Sequence, residues 1–515
     1  MTPLIVVCVY LGVVAVIGAA AYRRGLGNTE DFFLASRGLG SVVFFLSLFA
    51  TNMTAFSILG SSGQAYHHGI GVYGLMASSS GLVIPLSIFF LGTRLWAVGR
   101  RFGFQTPVQF YRARWECDHI GTVIFAITVI LLVPYMIISI MGGGRVLHDI
   151  SGGILPYAIG CALVALVVTV NVFFGGLRGA VWVNIFQTIL FLLFGTIALA
   201  IISQSVQGGL SEQIQRIAQN PDTKPLLTRE NLSQRIFWSY SLIPLSSIMF
   251  PHMAIMCFAA KTIDAFKKTV VLYPLAIMAV WLPCVYLGVI GTQTEPGLKN
   301  SDGVLLQMLS HYAPAWIAGI LGAGIISAVL GSDTHQVLAA STLFTKDLFN
   351  HYGGHEKFGE SKSVLFARVF ILVVTCVAYL VALITPMRIF ELAVRFAFSG
   401  FAALSPVLVA ALFWRRSTKY GALAVALWVG ISLAGLYFLQ KYSDSIAPMP
   451  GQPPVPIFPA LGSFLERSAS QITFYGFLPV VPMLAGSAVL MTVVSLLTKQ
   501  PSKATIEKFF PSNNQ

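Results

Sequence analysis

The chain has 515 residues, of which 56% are aliphatic, aromatic or sulfur-bearing and only 10% are charged, with a mean hydropathy of +0.79. That balance excludes a soluble fold. The formal charge of +13 would suggest nucleic acid in a soluble protein, but the basic residues stand in short clusters between long apolar runs, where they act as orientation signals in a bilayer.

A hydrocarbon core of about 30 Å needs about 20 apolar helical residues. Cutting the chain at its polar, Pro and Gly clusters leaves thirteen such runs, so the fold class is all-α and integral to a membrane. In chain order they are 3–22, 41–66, 71–97, 120–141, 154–174, 181–205, 236–258, 268–292, 313–341, 364–385, 391–414, 418–439 and 472–497. The first run has no basic residue before it and ends at Arg23-Arg24 without a small-residue cleavage site, so it reads as a retained helix. With the N-terminus outside, 22 of the 32 Lys and Arg lie at segment ends that face inside, as the positive-inside rule requires. The C-terminus is then cytoplasmic, the protein is multi-pass in the cell's inner (plasma) membrane, and loops 206–235, 293–312 and 440–471 are external caps.

The six cysteines have no paired or metal-type spacing, so neither a disulfide nor a zinc site is expected. His67-His68 has no acidic neighbour, and no nucleophile stands with a base, so the chain is not read as an enzyme. The partners expected are a small-molecule solute and the lipid bilayer. Nucleic acid, an organic cofactor and an obligatory protein partner are not expected.

Runs 41–66 and 236–258 carry polar and helix-breaking clusters: Ala50-Thr51-Asn52-Met53-Thr54 with Gly60-Ser61-Ser62-Gly63, and Ser246-Ser247 before Pro251-His252. Such clusters mark broken helices, whose free carbonyls a membrane tolerates only in buried protein or beside a cavity. The alternative is a kinked helix with Ser/Thr packing. Each cluster opens a block of five spans, 41–205 and 236–414. Because five is odd, the second block enters the membrane from the opposite side to the first, and the two form a five-plus-five inverted repeat. A leading helix and linker (1–40) precede them, loop 206–235 separates them, and two further helices with a short tail occupy 415–515.

Four separated motifs lie in order along the chain. They are Asp31 to Gly40 (DFFLASRGLG), Gly175 to Gln187 (GGLRGAVWVNIFQ), Pro251-His252 with Ala259-Ala260-Lys261, and Ala340 to Phe349 (ASTLFTKDLF). Together they resemble the sodium:solute symporter family, which includes proline, pantothenate, sugar and sialic acid carriers, over about residues 3–430. The resemblance implies the leucine-transporter type of inverted repeat, alternating access, and sodium as the coupling ion. It places a sodium site on the carbonyls of Ala50, Met53 and Ala328 with side chains at 331 and 332. Ser332 supplies a hydroxyl, but Gly331 stands where most relatives carry a second one. Asn184 replaces a common aspartate, and Asp333, an acid at membrane depth, is a candidate for the missing charge on the ion path.

For the solute, the resemblance points to Ser57, Tyr135 and the Ser246/Ser247 region, with Asn52 at the break. Tyr135 could equally be core packing. Arg395, inside an apolar run, could bind a carboxylate bidentately, which would make the solute a small organic anion such as a monocarboxylate or pantothenate. Snorkelling to the interface is the alternative for Arg395. A proton-coupled or uncoupled carrier on the same fold is the rival reading, favoured by Gly331, Asn184 and the Asp333/His335 pair.

Overall fold

The protein, described by a computed structural model over residues 2–23, 33–298, 300–385, 388–448, 452–468 and 471–511, is a helical bundle. Arg24, Asp31 and Phe32 of the sequence motifs lie outside the described residues. The long elements are α1 (Thr2–Arg23), α2 (Ser41–Asn52), α3 (Phe56–His68), α4 (Gly71–Phe102), α5 (Asp118–Ile150), α6 (Tyr157–Ser205) and α7 (Gln234–Met249). They continue with α8 (Pro251–Ala259), α9 (Asp264–Thr294), α10 (Ala315–Phe349), α11 (Lys362–Ile384), α12 (Ile389–Phe413), α13 (Lys419–Ile446) and α14 (Val480–Leu497).

Among the described residues, nine helices are long and apolar enough to cross a membrane, or up to eleven if each bent pair is one span. The thirteen expected from the sequence exceed this at two places. One is α1, whose apolar stretch Thr2–Ile17 is shorter. The other is α6, a 49-residue helix that turns at Gly176, where φ is +55°. A left-handed backbone there suits glycine and lets one continuous element serve as two runs.

The two expected breaks are present. α2 and α3 meet at 63°, α7 and α8 at 53°. At the first, Met53 is extended (φ −91°, ψ 123°), and Thr54 restarts the helix, its hydroxyl accepting the Phe56 N–H at 3.1 Å and its carbonyl the Ser57 N–H at 2.9 Å. A hydroxyl that satisfies an orphan N–H is what a helix start needs. At the second, Phe250 is extended (ψ 125°) and Pro251 opens α8, where its missing N–H costs nothing.

Burial separates the inner helices from those facing lipid. In α10 and α12, 78% and 83% of the most apolar window is buried, against 28% for each of α11, α13 and α14. Lipid is as apolar as leucine, so close approach of small residues has to hold the inner helices together. α10 packs on α1, α2, α5 and α6. A Cβ at Gly322 would lie 1.9 Å from Ile150 of α5, and one at Gly319 only 2.9 Å from the Pro3 Cα of α1.

Loops 206–235, 293–312 and 440–471 meet at one end of the bundle: Ile70 N–H bonds the Leu226 carbonyl, Tyr66 bonds the Glu295 carbonyl, and Arg235 bonds the Tyr475 carbonyl. Part of this cap is a small antiparallel sheet in the order β1 (Val455–Pro456), β2 (Leu465–Arg467), β3 (Ile472–Phe474). The sequence reading expected only a loop there, and placed 472–474 in the final span, which instead begins at Val480.

Candidate ion and solute site

The first break abuts α10. Ser332 donates its hydroxyl to the Thr51 carbonyl at 2.9 Å and accepts from Gln336 Nε2 at 2.8 Å. Ala50, Met53, Ala328, Gly331 and Ser332 are all buried. The contact of α10 with α2 thus runs through the Thr51 carbonyl, which lies between the expected Ala50 and Met53 along the chain. The Ala50 carbonyl is engaged by the Met53 N–H at 3.3 Å.

Gly331 faces α6. A Cβ there would lie 3.0 Å from Asn184 Oδ1 and 3.1 Å from Gln187 Oε1. Both oxygens are buried without a partner. Asn184 Nδ2 reaches Thr51 Oγ1 at 3.2 Å and His335 Nδ1 at 3.1 Å, and Gln187 Nε2 donates to the Tyr10 hydroxyl of α1. Gln336 Oε1 and both Asp333 oxygens are likewise buried and unpaired. Buried oxygens left without donors suit a hard cation, which seeks several oxygen ligands, so the residues present fit a sodium ion. Gln187 closes the Gly175 to Gln187 motif, yet its role had no sequence signal beyond an amide at membrane depth.

A second feature adjoins the break: a small, partly open cavity of about 30 Å³. Asn52, Ser57, Ser246 and Ser247 line it, as expected, with Met53 and Ser80. Phe56, Tyr240, Phe250, Trp281 and Phe398 form its aromatic walls, and none of these had been singled out. Asn52 donates to the Tyr273 hydroxyl of α9 at 2.6 Å and accepts from Ser247 at 3.4 Å, which ties both breaks to α9.

Two expected solute residues do not line this cavity. Tyr135 is packed among Phe250, His252 and Phe398, with ring centroids 4.7, 5.6 and 5.3 Å away, and its hydroxyl is buried without a partner. Arg395 sits in a π-helical turn of α12, donates to Gln440 of α13, and lines a different cleft with Glu391 and Gln471. It is 4% exposed and does not line the cavity at the break. The wider turn and the packing of α12 on its neighbours set that direction, which position along the helix could not show. His252 is buried against Phe250, and no metal-type cluster of His, Cys, Asp or Glu occurs among the described residues.

At the opposite end of the breaks, two motifs interlock. Leu39 pairs with Ala260, through Leu39 N–H to the Ala259 carbonyl and Lys261 N–H to the Leu39 carbonyl. Arg100 of α4 donates to the Ala260 and Lys261 carbonyls at 3.2 and 3.0 Å.

A bundle with two broken helices, a buried set of unpaired oxygens at one break and a small cavity between them defines a secondary transporter of the inverted-repeat, leucine-transporter type. Comparison with known proteins agrees. The family model for the sodium:solute symporter family matches residues 32–430, and the chain belongs to that family. It is 27% identical over 439 residues to the sodium/pantothenate symporter of Escherichia coli (strain K12), covering 84% of this chain and 89% of that one. It is 26% identical over 465 residues to the sodium/proline symporter of the same strain, covering 85% and 89%. Among solved structures, a substrate-bound, outward-open Na+-coupled sialic acid symporter matches with a TM-score of 0.75 at 14% identity, covering 98% of this chain and 99% of that one. These relatives are transporters, and the chain is a membrane transporter, not an enzyme.

Proposed function

We propose that the protein takes up a small organic solute, of the class that holds monocarboxylates and pantothenate, by sodium-coupled alternating access. The observation that carries this reading is the α2–α3 break, which sets carbonyls beside Ser332 on one side and the Asn52/Ser57 cavity on the other. Sodium would be held by the carbonyls around Ala50 to Met53, by Ala328 and by Ser332, with Asn184 and Gln187 oxygens facing the space that Gly331 leaves. A bound sodium would place positive charge against the free carbonyls of the break. Ser332 and Asn52, on either side of it, join α10 and α9 to the same turn, so filling one site stiffens the other. Asp333 would supply negative charge along the ion path.

Solute selection would rest on the hydroxyls of Ser57, Ser80, Ser246 and Ser247, the Asn52 amide and the aromatic walls, rather than on Arg395, because no charged side chain among the described residues lines the cavity. The charge asymmetry of the sequence supports an external N-terminus and a place in the cell membrane.

Reconstitution into proteoliposomes tests the reading. Accumulation of labelled solute under an inward sodium gradient, lost when choline replaces sodium, is the expected result. Uptake that persists in choline and follows a pH gradient would transfer the coupling to protons, which Gly331 favours by removing a hydroxyl ligand.

A further inference from the structure

The solute cavity holds a buried donor that has no acceptor. Trp281 of α9 lines the cavity and is 3% exposed, and its indole N–H is buried without a hydrogen-bond partner. Buried indole N–H groups in folded proteins normally find an oxygen. Among the polar groups lining the cavity, the Asn52 amide bonds Tyr273 and Ser247, and the Ser57 hydroxyl donates to Met53 Sδ at 3.2 Å.

We propose that Trp281 is a solute-recognition residue, its N–H satisfied by an acceptor oxygen of the transported solute, a carboxylate or amide carbonyl. This rests on the proposed function and narrows it. The solute presents an acceptor to the indole edge while Phe56, Phe250 and Phe398 cover its apolar part. A compound of the same shape with only donors or apolar surface at that end leaves the N–H unpaired and is rejected, as sites built to hydrogen-bond a substrate reject analogues lacking the group.

The test uses the full chain in proteoliposomes with an inward sodium gradient and labelled pantothenate, L-proline and pyruvate, all of which carry a carboxylate. For the solute that wild type accumulates, Trp281→Phe is expected to raise KM about tenfold, the equivalent of one hydrogen bond. Replacing Trp281 by benzothienylalanine, which keeps the two-ring shape but carries sulfur in place of N–H, is expected to raise KM equally while the maximal rate changes less than about twofold. A wild-type KM in the benzothienyl variant overturns the proposal and leaves sodium-coupled uptake intact. Failure of wild type to accumulate any of the three solutes overturns the solute class, and with it the assignment of the indole.

Discussion

Ser332 holds its hydroxyl 2.9 Å from the Thr51 carbonyl, inside the stretch of α2 where the helix stops repeating its own hydrogen bonds. Replacing it by alanine removes one oxygen from the proposed ion site and leaves Gln336 Nε2 without its acceptor. Ser332→Ala is expected to raise the sodium concentration for half-maximal uptake about tenfold or more, from the loss of one charge-assisted contact of about 1.4 kcal/mol, whereas Ser332→Thr, which keeps the hydroxyl, stays near wild type. An unchanged sodium dependence in Ser332→Ala would remove this residue from the site. Asn52, Ser246 and Ser247 stand out in the sequence as polar side chains in apolar runs, whereas Ser57 and Ser332 were reached only through the family resemblance. Trp281, Tyr240 and Phe398 were not legible, since an aromatic residue inside a span looks the same whether it packs on a neighbour or walls a cavity. The clue available for Trp281 was depth: it lies mid-helix, away from the interfaces where tryptophan collects.

At the scale of elements, the breaks make four short helices out of two spans, and the clamp at Leu39, Ala260 and Arg100 ties the approach to α2 to the end of α8. Gly99 permits it: a Cβ there would lie 2.2 Å from the Phe258 ring, so only glycine lets α4 lie this close to α8. Arg100→Ala is expected to loosen the end of α8 and to speed labelling of Cys257, which is fully buried on α8, by N-ethylmaleimide severalfold when Cys257 is the sole cysteine. Equal labelling rates would show that the guanidinium does not hold α8. The positions of the breaks were readable from local chemistry: Pro251 lacks an N–H, and Thr54 offers a capping hydroxyl. The clamp was not readable, because it joins main-chain groups of motifs more than 200 residues apart, and carbonyls leave no mark in a sequence.

For the molecule as a whole, the turn Ser301–Gly303 is a junction at the capped end. The Asp302 carboxylate accepts the Ile389 N–H at 3.0 Å and so caps α12, while its Oδ1 would lie 2.7 Å from a Cβ at Gly63 of α3. Burial pushes the Asp302 carboxyl up to about 6, against the opposing effects of the Ile389 N–H and the Arg388 charge. An unfolded Asp releases its proton near pH 4. Between these values the folded state holds the extra proton, so the stabilisation is complete below about pH 4 and is lost as pH rises to about 6, roughly 3 kcal/mol in all. The melting temperature of the purified protein is therefore expected to fall from pH 4 to pH 6.5 by more in wild type than in Asp302→Asn, which cannot titrate but still offers an oxygen to Ile389. Parallel curves would place the titration elsewhere. On the transport side, with an assumed −100 mV and an assumed tenfold sodium gradient, one sodium supplies about 3.7 kcal/mol, enough to concentrate a neutral solute roughly several hundredfold. For the monoanion proposed here, carried with one sodium, the voltage contribution cancels and the assumed sodium gradient alone supports about tenfold accumulation.

The class of protein and the inverted placement of two broken helices can be read from the chain alone, whereas the residues of α2 and α10 proposed to face an ion come only from the family resemblance. A bilayer enforces span length, backbone pairing and the rarity of charge locally, residue by residue, so those features are written in the order of the amino acids. Which side chains share a cavity is a matter of packing between helices. That packing turned Arg395 toward Gln440, buried Tyr135 against Phe250, and set Trp281 in the wall of the cavity that Asn52 also lines. Helices in lipid choose partners through close contacts of small residues far apart in sequence, and such contacts carry no period that a single chain reveals.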